Sequence, residues 1–124
     1  MAIRVRRAYD PPLPEDGRRV LVERLWPRGM KKEKLFLNAW LKELAPSDDL
    51  RRWFSHDPAR WEEFQQRYRQ ELRGPRQQQL IDELAEQASR RNVTLIYSSR
   101  EERFNNANAL RQIIEERSHR RLAA

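Results

Sequence analysis

The stretch Val93-Thr-Leu-Ile-Tyr97 is short, rich in β-branched residues and nearly all apolar, a pattern that predicts a strand. A second run, Arg19-Val-Leu-Val-Glu-Arg-Leu25, has adjoining apolar residues at Val20, Leu21 and Val22. Strict alternation would leave one face polar, whereas adjoining apolar positions predict burial on both faces, as in a central strand. The segments between the two runs follow a helical period. Buried strands joined through helices predict a small layered α/β domain, its sheet partly parallel and flanked by helices.

The remaining segments fit that frame. Ile3-Arg-Val-Arg-Arg-Ala8 alternates apolar and basic residues, as a half-buried strand does. Three prolines and a closing glycine make 10–17 a loop, and Trp26-Pro27-Arg28-Gly29 ends the second strand. Leu37, Trp40, Leu41 and Leu44 share one face of a helix expected over 32–44. Ser47 or Asp48 is placed to cap a short helix through Leu50, Trp53 and Phe54. Asp57 is the expected N-cap of a helix over 59–72, with Pro58 at its first position and Gly74-Pro75 beyond its end. A helix over 77–91 buries Leu80, Ile81, Leu84, Ala85 and Ala88, with Asn92 as its C-cap. The last helix, 105–117, buries Leu110, Ile113 and Ile114, and 118–124 is expected to be a frayed basic tail. At 124 residues the chain is expected to form one domain.

The formal net charge of +7 is unevenly spread: the first 34 residues hold ten Lys or Arg against five Asp or Glu. Such an excess suits an anionic partner, either a small anionic ligand or nucleic acid, unless the arginines serve only to solvate the surface. The absence of cysteine excludes disulfides, thiolate nucleophiles, zinc–cysteine sites and iron–sulfur clusters within the chain. No apolar stretch follows the N-terminal arginines, and no apolar run approaches the roughly 20 residues that span a bilayer. A cytoplasmic location without a leader or membrane partner is therefore expected.

Five strings carry a family resemblance: RLWPRG at Arg24 to Gly29, WLKELAPS at Trp40 to Ser47, LRRWFSHDP at Leu50 to Pro58, WEEFQQRY at Trp61 to Tyr68, and VTLIYSSREE at Val93 to Glu102. In this order, and over nearly the whole chain, they resemble the YeaO-like group of domain-of-unknown-function family 488. The resemblance implies a Rossmann-like layering and brings no reaction with it. The chain departs from the pattern at two places. Asn38 stands where similar proteins usually carry an acidic residue, and Phe104 where many carry a histidine. Neither position can supply a carboxylate or imidazole for catalysis here.

Ligands of open α/β sheets bind beyond the carboxyl ends of the strands. One such end delivers Arg24, Trp26, Arg28 and Gly29, and the other delivers Tyr97, Ser98, Ser99 and Arg100. If the two strands are parallel neighbours, three arginines, two hydroxyls and a glycine turn meet on one rim. Arginine presents a fork of donors that matches phosphate or carboxylate. A helix starting near Lys32 would add its positive end, and Trp26 could stack on a planar group. The competing structural reading makes Trp26 core and pairs the arginines with Glu23 and Glu33.

His56 beside Asp57 is a candidate general base, although Asp57-Pro58 is also an ordinary helix start and His56 can simply bridge a loop. Asn105, at the start of the last helix, either caps that helix or reaches a ligand. No G-x-G-x-x-G, Walker loop or G-x-S-x-G elbow is present, so no nucleotide cofactor or serine-hydrolase chemistry is expected. His56 and His119 lack metal-ligand spacing, so no metal is expected.

Three functions remain open. One is a small anionic ligand at the strand ends, with or without catalysis. Another is nucleic acid held by Arg4, Arg6, Arg18, Arg19, Lys31, Lys32 and Lys34. The third is a protein-interaction module using exposed aromatics. The sequence leaves the oligomeric state open.

Overall fold

The computed structural model describes residues 2–123, with side chains through Arg120. In chain order it comprises β1 (Ile3–Arg7), β2 (Arg18–Leu21), α1 (Lys32–Leu35), β3 (Ala39–Trp40), α2 (Asp48–Phe54), α3 (Trp61–Glu71), α4 (Pro75–Ala88), β4 (Val93–Tyr97) and α5 (Asn106–Ala123). The strands form a small α/β sheet in the order β1-β4-β2-β3, and every pairing is parallel. β1 and β2 are consecutive in the chain but do not touch. β4 lies between them, with Leu95 opposite Val5 on one side and Val20 on the other. The two most apolar runs are thus the two interior strands.

Side chains alternate across a strand, so each interior strand feeds two cores. Val20, Val22, Val93, Leu95 and Tyr97 join Phe64, Tyr68, Leu80, Ile81, Leu84, Leu110 and Ile114 in the main core beneath α3, α4 and α5. Leu21 and Ile96 point the other way, into a small cluster with Ala8 and Leu35. Trp26, Met30, Leu37 and Trp40 cover that cluster, and the two indoles meet edge to face at 5.4 Å.

Toward the amino ends of the strands this second face turns polar. Asp16 is fully buried and accepts from the Leu13 amide at 3.0 Å and from Arg19 Nη1 at 2.6 Å. Arg4 and Arg6 bring their Nη1 atoms within 3.8 and 3.9 Å of its other oxygen. Arg19, itself buried, also donates through Nε to the Leu35 carbonyl at 3.1 Å.

The helix expected over 32–44 does not form. α1 is a single turn, and Phe36 after it is left-handed, with φ of 51°. Asn38 then grips β2 like a strand partner. Its amide donates to the Arg19 carbonyl, and its Oδ1 accepts from the Arg19 amide, both at 2.8 Å. The Leu41 amide reaches the Leu21 carbonyl at 2.9 Å, and Trp40 Nε1 donates to the Glu23 carbonyl at 2.6 Å. Leu37 and Trp40 serve the small cluster while Leu41 and Leu44 serve the main core. One helical face cannot supply two cores on opposite sides of a sheet, so pairing to β2 overrides the period.

Other boundaries shift less. The second strand ends at Leu21, although the Val22 amide still donates to the Ile96 carbonyl at 3.2 Å. Ser47 caps α2 through the Leu50 amide, and Asp57 caps the turn leading into α3 through the Ala59 amide. Pro75 opens α4, which ends at Ala88, so Asn92 is not its C-cap. Asn92 instead ties three segments, accepting from the Ala2 amide and donating to the Glu15 carbonyl while its own carbonyl takes the Arg18 amide. Gly17, with φ of 61°, passes so close that a Cβ would lie 2.2 Å from that Asn92 carbonyl oxygen, and only glycine fits there. α5 continues to Ala123 instead of ending at Arg117. Ala124, the end of the expected frayed tail, lies outside the described residues. Among the described residues no helix is long and apolar enough to cross a membrane.

Candidate functional site

Because β2 and β4 are parallel neighbours, their carboxyl ends lie side by side. Beyond them opens a cavity of about 560 Å³, within the range of roughly 300–1,000 Å³ usual for small-molecule sites. The segment after β2 contributes Glu23, Arg24, Trp26 and Arg28 to its wall, and the segment after β4 contributes Ser98 and Ser99. Arg51, Arg52 and His56 come from the far end of α2 and the turn after it, and Asn106 is the first residue of α5.

Local bonds fix these groups. Arg24 Nε donates to the Pro46 carbonyl at 3.0 Å, holding the loop before α2 against the segment after β2. Arg28 sits in a turn closed by the Met30 amide on the Pro27 carbonyl, with Gly29 left-handed at φ 75°. Tyr9 donates its hydroxyl to the Arg28 carbonyl at 2.8 Å, leaving the Arg28 guanidinium exposed. Trp26 is half-buried and donates Nε1 to the Met30 carbonyl at 2.6 Å. It is therefore both part of the small cluster and part of the cavity wall. Asn106, buried, donates Nδ2 to the Val22 carbonyl at 2.8 Å and staples the start of α5 to the end of β2.

Four arginines face a single carboxylate in this wall. That carboxylate, Glu23, is half-buried and accepts the Ser98 amide at 3.1 Å. Burial pushes its pKa above the ordinary carboxylate value, against the opposing pull of the Ser98 amide, His56 and Arg51. Among the described residues Glu23, Arg24 and Arg28 form no salt bridge, so the pairing of Glu23 with these arginines does not occur. Among the described residues the one salt bridge of Arg51 is an exposed contact to Asp48 at 3.5 Å.

The other expected site residues lie elsewhere. Tyr97 is buried in the main core, and burial raises its hydroxyl pKa. Gly29 and Arg100 are exposed and do not line the cavity. α1 is a single turn, so no helix end near Lys32 supplies a positive pole. His56 does line the cavity, at the end of a reversal in which Ser55 and His56 are both left-handed. Its Nδ1 lies 3.1 Å from the Phe104 carbonyl. A carbonyl can only accept, so Nδ1 carries the proton and, in the neutral ring, Nε2 keeps the lone pair. Asp57 has turned to its capping bond and takes no part in the cavity. Asn105 also caps, accepting the Asn108 amide at 2.9 Å.

Glu23, Arg51, Arg52 and Asn106 also line the cavity, beyond the residues expected from the sequence. Asn106 is one position from the asparagine chosen, a difference set by helix register. Arg51 and Arg52 precede His56 closely enough that the two cations could have been read as facing the same rim. Among the described residues no group of three or more His, Cys, Asp or Glu could hold a metal ion.

The fold and the cavity together define a parallel α/β domain with an arginine-lined pocket at the strand ends. Residues 2–124 match the family described as the inactive DUF488-N3 subclade. The chain is 40% identical to the uncharacterized protein YeaO of Escherichia coli (strain K12) over 107 residues, covering 86% of this chain and 91% of that protein. It is 38% identical over 112 residues to an uncharacterized protein of Mycobacterium tuberculosis (strain H37Rv), covering 90% of this chain and 92% of its relative. The chain therefore belongs to the DUF488 family, in its YeaO-like group. No solved structure matches it.

Proposed function

We propose that the protein binds a small anionic ligand, bearing phosphate or carboxylate, in the cavity at the carboxyl ends of β2 and β4. The observation that carries this reading is the convergence of Arg24, Arg28, Arg51 and Arg52 on one cavity whose single carboxylate, Glu23, forms a salt bridge with none of them. Arginine forks are matched to tetrahedral and planar oxyanions, and their charge is least screened inside a concavity.

Binding without turnover is the version we favour. The family description calls the subclade inactive. Asn38 is spent on β2, and Phe104 packs edge to face on Trp61 at 5.5 Å. The Nδ1 of His56 faces the Phe104 carbonyl and not a carboxylate. The nucleic-acid reading draws less support, because Arg19 is buried and Arg4 and Arg6 turn toward Asp16.

Isothermal titration with inorganic phosphate at low salt tests the proposal. Arg28→Ala and Arg51→Ala should each weaken binding about tenfold, the loss of one charge-assisted contact. Lys32→Ala, on the surface and outside the cavity, should leave it unchanged. Equal loss in all three variants would reduce the effect to net charge and sink the site.

A further inference from the structure

Resting on that reading of the cavity, we infer that its ligand is a phosphorylated sugar and that Glu23 is the residue that selects it. An arginine pocket for a bare anion has no use for a carboxylate, since the carboxylate repels the anion and is itself costly to bury. Glu23 is nonetheless half-buried in the wall and forms no salt bridge with the arginines around it. Its position is fixed by the Ser98 amide, which donates to Oε1 at 3.1 Å. The Ser98 side chain bonds the same carboxylate, which with about four lone-pair sites keeps acceptor capacity beyond these two contacts.

A carboxylate only accepts hydrogen bonds, so what Glu23 asks of a ligand is a donor. Among ligand donors an ammonium would meet four guanidiniums, whereas a hydroxyl adds no charge. The pairing of a cationic wall with a carboxylate that has acceptor capacity to spare thus fits a molecule with an anionic end and a hydroxyl some distance from it. A sugar phosphate has that arrangement, with the phosphate on the arginines and a ring hydroxyl on Glu23. A site built to bond a hydroxyl discriminates strongly against ligands lacking it, because its own polar group is then left unpaired.

Free sugar phosphates and nucleotides share this chemistry. They differ at the mouth, where Tyr9 is 41% exposed and Leu25 65% exposed. Tyr9 is held by its bond to the Arg28 carbonyl, and its exposed ring offers a surface on which a base can lie.

Titration of the full chain with inorganic phosphate, ribose 5-phosphate and adenosine 5′-monophosphate tests the inference. Wild type should bind ribose 5-phosphate at least tenfold more tightly than phosphate, and Glu23→Ala should bring that ratio near one. Glu23→Gln keeps the side chain's length and an acceptor for the Ser98 amide, and it carries the test should Glu23→Ala unfold. It should bind phosphate more tightly than wild type and ribose 5-phosphate less tightly. A nucleotide that binds more tightly than ribose 5-phosphate assigns the site to nucleotides, and equal binding assigns it to free sugar phosphates. Phosphate binding with no gain from the sugar, or a gain that survives both substitutions, overturns the role of Glu23 while leaving the anion site standing. No binding of phosphate or of either ester by wild type overturns both.

Discussion

Asp16→Ala should destabilise the fold by about 3–5 kcal/mol, the cost of breaking a buried ion pair from one side. Asp16 is fully buried, and its partner Arg19 is only 4% exposed, so the guanidinium left behind cannot reach water without disturbing β2. The same carboxylate holds the Leu13 amide and stands within 4 Å of Arg4 and Arg6, so its loss also leaves three cations facing one another. Urea unfolding followed by circular dichroism would measure the change through its midpoint. A companion variant isolates the cause. Removing the stranded charge in Asp16→Ala/Arg19→Met should recover much of the loss, since burying neither charge avoids the desolvation penalty. A single variant within about 1 kcal/mol of wild type would mean that this cluster is hydrated and not a structural element of the second face.

Phe64→Ala should cost a similar amount, about 3–5 kcal/mol, as is usual for an aromatic ring removed from a closed core. Phe64 is 1% exposed and lies between two other rings. Phe54 of α2 stacks on it at 4.3 Å with planes 6° apart, and Tyr68, one turn along α3, stacks at 5.5 Å. The Tyr68 hydroxyl continues the chain of contacts by donating to the Leu44 carbonyl. This stack joins α2 to α3, and α2 carries Arg51 and Arg52 into the cavity wall. The same variant should therefore weaken phosphate binding beyond its effect on the folded fraction, because the wall loses its support. Unfolding curves and phosphate titrations on the same preparation would show both effects. Full stability would indicate that the cavity floor collapses and refills the space.

How far the sequence reveals this molecule depends on whether a residue's role is decided nearby. β4 and β2 are legible because burial on both faces leaves an apolar run that no other element produces as briefly. Ser47 and Asp57 are legible because a cap bonds an amide two or three residues away. The segment around Trp40 is not, since its path is set by β2, with Asn38 and Leu41 bonded to Arg19 and Leu21. The site divides the same way. Arg24, Trp26, Arg28, Ser98 and Ser99 follow from placing a rim beyond two adjacent strand ends, and the structure puts them in one wall. Arg51 and Arg52 enter through the packing of α2 on α3, a contact between helices for which their closeness to His56 is the one local sign. Asn105 and Asn106 are told apart only by the phase of α5, which turns one to the cap and the other to the cavity.

Anions are expected to bind in the strand-end cavity. The most direct test is a titration of the isotope-labelled protein with inorganic phosphate, following backbone amide resonances. Saturable shifts concentrated on Arg28, His56, Ser98, Ser99 and Asn106 are the expected result, since these line one cavity. Shifts that fall instead on Lys31, Lys32 and Lys34 or scatter over the surface, or that fail to saturate, would contradict it.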